Sequence, residues 1–122
     1  MTSFLNRYFM EVQFFFKNVP ESIHHEIKAY FEKKRVRIER FLKHFSRDSV
    51  IMYVNVETFA KKDACAVEFV LSIPHHRLVA KEESHLYTKA IDDAKDRLIS
   101  QIKEVKERSQ DKTKKKVLHK MV

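Results

Sequence analysis

The stretch from Leu86 to Arg108, LYTKAIDDAKDRLISQIKEVKER, constrains the fold more than any other part of the chain. Tyr87, Ala90, Ile91, Ala94, Leu98, Ile102 and Val105 recur mostly at steps of three and four, so a helix of 3.6 residues per turn gathers them on one face. The other faces carry Lys89, Lys95, Arg97, Lys103, Lys106 and Arg108, mixed with acids at first and mostly basic at the end. Such a helix gains most of its stability by burying its stripe, so the rest of the chain must supply a matching apolar face.

Period-2 segments supply that face. Val12, Phe14 and Phe16 alternate with Glu11, Gln13 and Phe15, which predicts a strand from Glu11 to Lys17. Val50, Met52, Val54 and Val56 alternate with Ile51, Tyr53, Asn55 and Glu57, a second strand. Cys65, Val67, Phe69, Leu71 and Ile73 form one side of a third, over Ala64 to Ile73, and Pro74-His75-His76 then reverses the chain into a short fourth strand, Arg77 to Lys81. Lys81-Glu82-Glu83-Ser84 is expected to lead into the final helix, with Ser84 as its N-cap.

Between the first two strands, Pro20 and Glu21 are helix-start signals. A helix is predicted over about Glu21 to Phe45, with Ile23, Ile27, Tyr30/Phe31, Ile38, Phe41/Leu42 and Phe45 as its stripe and Lys34 as the one interruption. Lys33, Arg37, Arg40 and His44, spaced by 4, 3 and 4, line up along one edge of it. Stacked like charges repel by a few tenths of a kcal/mol per pair, a cost that an anionic partner removes. The competing reading is a solvated face partly neutralised by Glu32 and Glu39.

The order of elements is thus β-α-β-β-β-α, and the fold class is α+β: a four-stranded sheet with two helices side by side on one face. Residues 1–9 form an N-terminal extension, 10–108 the domain, and 109–122, with little periodicity and a run of lysines, a basic mobile tail. A length of 122 residues fits one domain with a real core.

Composition narrows the function. The net charge of +8 points to nucleic acid or another anionic partner. No apolar run reaches the roughly 20 residues of a membrane span, and the aromatic N-terminus lacks the cleavage site of a secretory signal. A single cysteine, Cys65, excludes an internal disulfide and fits a reducing, cytoplasmic setting. The complete absence of glycine excludes a Gly-rich phosphate loop.

No residue set reads as catalytic or metal-binding. His24-His25 lie about 100° apart on a helix, a poor chelating pair, and His75-His76 fall in a turn, so neither metal nor cofactor is expected. Asp92, Asp93 and Asp96 read as acids in the first turns of the helix that favour its dipole and pair with Lys89, Lys95 and the Lys103 side. Cys65 alternates with core residues. Of Phe14-Phe15-Phe16, only Phe15 is spare for stacking on a base. An enzyme is not expected.

Several patterns resemble the ribosome hibernation-promoting factors, also called ribosome-associated inhibitors. Ala90 to Arg108, AIDDAKDRLISQIKEVKER, is similar to that family's second helix, roughly A-I-D-x-A-x-D-K-L-x-R-Q-L-x-K; Lys34 to Leu42, KRVRIERFL, is similar to its K-x-x-K-L-x-x-Y-F; and Met10 to Phe14 resembles its opening strand. The likeness runs from Met10 to Arg108. Departures are Phe16 for a frequent Gly, Pro74-His75-His76 for an Asn-Gly type turn, Thr88 for a Tyr, and Ser100 for an Arg.

The resemblance implies a cytoplasmic factor that binds the small ribosomal subunit through rRNA. Such a factor sits where mRNA and tRNA would lie and inhibits translation under stress. Under that reading the basic residues expected to contact rRNA are Lys33, Lys34, Arg37 and Arg40 on the first helix and Arg97, Lys103 and Lys106 on the second, with tail contacts from Lys112, Lys114, Lys115 and Lys116. Long members add a second domain that pairs ribosomes; none is recognisable here, so self-driven ribosome dimerisation is not expected, and the chain itself is expected to be monomeric off the ribosome. The alternatives are a structured or double-stranded RNA binder acting off the ribosome and a basic protein-interaction module.

Overall fold

The computed structural model describes residues 10–121, with the side chains of Arg47 and of residues 109–121 left outside the description. Along the chain come β1 (Glu11–Lys17), a 3-10 turn (Glu21–Ile23), α1 (His24–Arg40), β2 (Ile51–Phe59), β3 (Ala64–Ile73), β4 (His76–Ser84) and α2 (Tyr87–Met121). The sheet order is β1-β2-β3-β4. β1 and β2 are parallel, which requires the crossover that α1 provides, and β2, β3 and β4 form an antiparallel meander.

Register explains the layering. Val12, Met52, Leu71 and Leu78 form one cross-strand row, and Phe14, Val54, Phe69 and Ala80 form the next. These rows face the helices. Phe31 of α1 meets Phe14 and Phe69 edge-on, each at 5.5 Å between ring centres, the geometry the ring quadrupole favours. α2 lies over β3 and β4 and beside α1. Ala80, Ala90 and Ala94 are all fully buried, small residues that let helix and strand approach closely. Ile91 and Leu98 are also fully buried, worth about 1.5–3 kcal/mol each.

With no glycine in the chain, the left-handed backbone positions fall to Asn18 (φ 58°), Asp63 (φ 44°) and His75 (φ 66°), residue types that tolerate this region better than most. Pro74 and His75 form a two-residue connection between Ile73 and its partner His76.

The architecture agrees with the sequence expectation, while several boundaries differ. α1 ends at Arg40, not Phe45. Beyond it Phe41, Leu42 and Phe45 donate backbone bonds three residues back, at 3.0–3.1 Å, and this tighter winding still buries Leu42 completely. β4 continues through Ser84, because Glu82, Glu83 and Ser84 keep pairing with Val67, Ala66 and Cys65. Charged residues on an edge strand also protect it from pairing with another chain. Ser84 therefore ends a strand, and its hydroxyl accepts the Leu86 N–H at 3.3 Å. α2 runs on past Arg108, through a lysine-rich stretch with neither Gly nor Pro to stop it.

The interruption in the α1 stripe is Arg35 rather than Lys34. Ile27, Phe31, Arg35, Ile38 and Leu42 form the buried line, with Arg35 only 7% exposed. Its guanidinium donates to Glu32 at 3.0 Å, to Glu39 at 3.4 Å and to the Met10 carbonyl, while Glu39 accepts the Met10 N–H at 3.1 Å. The buried charge is thus paired, and the same pairing fixes the chain where β1 begins.

Candidate nucleic-acid interface

The basic surface is organised by the seam between the two helices. Tyr30 donates its hydroxyl to Asp92 Oδ2 at 2.9 Å. Lys34 Nζ lies 3.4 Å from Asp92 Oδ1 and 5.0 Å from the centre of the Tyr30 ring. Tyr87 meets Tyr30 edge-on at 6.2 Å. At the far end, Lys103 and Lys106 reach over the Phe41 ring at 5.2 and 6.0 Å. Early residues of one helix thus meet early residues of the other, and late meet late, so the helices run parallel. Burial, and then the bond to the Asp92 carboxylate, push the Tyr30 hydroxyl above its ordinary pKa.

Along the solvent edge of this seam, where Arg37 lies three residues from Lys34 and four from Phe41, Lys33, Arg37 and Arg40 are exposed and make no ion pair with an acid among the described residues. The expected neutralisers, Glu32 and Glu39, turn instead to Arg35. Lys103 and Lys106 also lack an acidic partner among the described residues; their ammonium groups sit over an aromatic face, which attracts cations without cancelling their charge. The seam therefore gathers unneutralised cations from both helices.

Two sequence-predicted contacts occupy other positions. Lys34 is half-buried and ties α1 to Asp92. Arg97 points to β4, where it pairs with Glu82 at 2.8 Å, and one turn later Gln101 donates to the Val79 carbonyl at 2.9 Å. Arg97 thus lies on the β4 flank of α2, apart from Lys103 and Lys106. The side chains of Lys112, Lys114, Lys115 and Lys116 lie outside the described residues. Lys95 pairs with the acid cluster as expected, reaching Asp96 at 3.2 Å, but it is buried, 5% exposed, rather than on an outer face. Its spacing of four from Ile91 and three from Leu98 placed it in the apolar stripe, where a lysine buries its stem and lifts its charge outward.

The remaining candidates are engaged structurally. Lys89 pairs with Asp93 at 3.6 Å, so with Asp92 and Asp96 all the clustered acids have a cation. His24 stacks on Phe16 at 3.9 Å and bonds the Val19 carbonyl at 2.9 Å. Burial pushes the Cys65 thiol above its ordinary pKa. Phe15, 53% exposed, lies beside Tyr53 on the sheet face away from the helices. Among the described residues no acid, histidine and cysteine group could hold a metal, and no helix is long and apolar enough to cross a membrane.

Comparison with known proteins places this arrangement. The family model described as sigma 54 modulation protein / S30EA ribosomal protein matches residues 12–110. The chain belongs to this family. The family is one of ribosome-associated proteins and is not known for enzymatic activity. Among solved structures, the chain is similar to the N-terminal domain of Thermus thermophilus Protein Y. The two share 26% identity with a TM-score of 0.65, over 79% of this chain and 99% of that one. A ribosomal subunit interface protein from Coxiella burnetii shares the fold, at 21% identity and a TM-score of 0.63, over 80% of this chain and 98% of that one. No curated protein matches the chain significantly.

Proposed function

We propose that this family member is a ribosome hibernation factor. It binds the small ribosomal subunit through rRNA and inhibits translation by occupying the path of mRNA and tRNA. The observation that carries this reading is the pair of parallel helices with Lys33, Arg37, Arg40, Lys103 and Lys106 set along one seam and no acid pairing with them among the described residues. Structured RNA offers phosphates in a fixed spatial pattern and is recognised largely by shape and charge. A rigid seam meets such a pattern without large ordering cost. No bond is made or broken; the protein acts by exclusion.

Affinity is then steeply salt-dependent. Five phosphates neutralised at roughly 0.7–0.9 each give a log–log slope of about −3.5 to −4.5, so a fourfold rise in salt weakens binding roughly 100- to 500-fold. The test is cosedimentation of the chain with purified small subunits across a salt series, repeated with Arg37→Glu/Arg40→Glu. The variant is expected to lose binding while keeping its circular dichroism spectrum and melting temperature. A folded variant that binds like the parent refutes the seam assignment. Equal affinity for free duplex RNA and for small subunits would favour a generic RNA binder, and simultaneous binding with mRNA and initiator tRNA would refute exclusion.

A further inference from the structure

At the end of the seam lies a cleft of about 520 Å³ lined by His44, Phe45, Pro74, His75, His76, Val105 and Lys106. Its walls come from three separate places: the segment after α1, the β3–β4 turn, and α2. Phe45, Val105 and Pro74 are the apolar part of the lining, His44, His75, His76 and Lys106 its imidazoles and ammonium, and the His44 ring lies 4.0 Å from that of Phe45. These histidines have no role in the core: His44, His75 and His76 are all exposed. Nor are they arranged for a metal, since no metal-holding group occurs among the described residues.

The adjacent rings of Phe45 and His44, with Lys106 in the same lining, suit an unstacked nucleotide, its base against the ring pair and its phosphate on the cationic groups. Lys106 belongs both to this lining and to the seam, where it covers Phe41, so RNA lying along the helices reaches the cleft directly. We propose that the cleft takes one unstacked rRNA nucleotide, its phosphate held by Lys106, His44, His75 and His76, and that binding to the small subunit therefore tightens as pH falls. This rests on the ribosomal reading above and adds the contact and its regulation.

The sign follows from linkage. Burial, and then the charge of Lys106, hold His44 below its ordinary pKa, so protonation of His44 is opposed in the unbound protein. The surrounding charges are mostly of the same sign: Arg40 and Lys43 before His44, Arg77 after the turn, and Lys103 on α2, with Glu107 the acid next to Lys106 in sequence. A bound phosphate reverses the balance and favours the imidazolium form of His44 in the complex. Affinity then increases as pH drops through the histidine range, by on the order of tenfold for each histidine whose pKa rises by one unit on binding.

The test measures binding of the full chain to purified small subunits at fixed salt, at about pH 8 and about pH 6. The parent is expected to gain at least about tenfold at the lower pH. The triple variant His44→Gln/His75→Asn/His76→Gln is expected to lose most of that gain; Asn is chosen because it tolerates the left-handed backbone at position 75. In parallel, the imidazole resonances of the parent are followed over pH with and without a short single-stranded RNA, and that of His44 is expected to titrate at higher pH with RNA. A parent that binds equally at both pH values, a folded triple variant that keeps the full gain, or a His44 titration unmoved by RNA overturns the proposal. Absence of small-subunit binding at either pH overturns the ribosomal reading itself, while the RNA titration still judges the cleft.

Discussion

Replacing Arg35 by Ala is expected to destabilise the protein by about 3 kcal/mol. Buried pairs broken from one side typically cost about 3–5 kcal/mol, because the remaining charge loses its partner without regaining water. Arg35 is such a case, since its side chain is 8% exposed and serves Glu32, Glu39 and the Met10 carbonyl together. The lower end of the range applies because Glu32 is 36% exposed and can be rehydrated, whereas Glu39, at 13%, cannot to the same extent. Urea unfolding is the assay. With a slope of about 1.5 kcal/mol/M, the midpoint falls by about 2 M at unchanged slope. Lys34→Ala is the control: its pairing with Asp92 is partly exposed and should cost less than about 1 kcal/mol. If Arg35→Ala shifts the midpoint no more than Lys34→Ala does, the buried ion cluster is not what anchors the start of β1.

Two further outcomes follow from the seam and its flanks. The Tyr30 hydroxyl has a raised pKa in the fold, so its contribution is complete below the unfolded value of about 10 and is lost as pH rises through the folded value. Stability of the parent should therefore fall more steeply than that of Tyr30→Phe above about pH 10, measured by urea midpoints; parallel curves would refute a titrating Tyr30–Asp92 bond. Arg97→Gln is expected to leave small-subunit binding within about twofold, since the guanidinium is occupied by Glu82 on the β4 flank. A loss comparable to that of Arg37→Gln, measured at low salt, would bring Arg97 back into the RNA surface.

Much of the fold was legible because its signals are local. Alternation in Val12-Phe14-Phe16 and in Val50 through Val56 could only be satisfied by strands with one face covered. Boundaries were less legible wherever a partner decided them. Lys81-Glu82-Glu83-Ser84 has no strand-like apolarity, and it is extended because β3 offers hydrogen bonds along its whole edge. Lys34 and Arg35 are adjacent cations, and one residue of register decides which is buried. The spacing from Phe31 to Ile38 allowed either; the carboxylates of Glu32 and Glu39 and the Met10 carbonyl selected Arg35.

The sequence by itself determined that two amphipathic helices had to cover one face of a sheet, since the apolar periodicities leave no other way to remove those stripes from water. It also determined that the surface would be basic. Which basic residues act together was decided only by tertiary structure, because charges on different helices have no sequence relation to one another. Packing turned Lys34 inward to Asp92 and Arg97 outward to Glu82, and left Lys103 and Lys106 above Phe41. The same packing brought His44 to His75 and His76 across one cleft, although some thirty residues separate them along the chain.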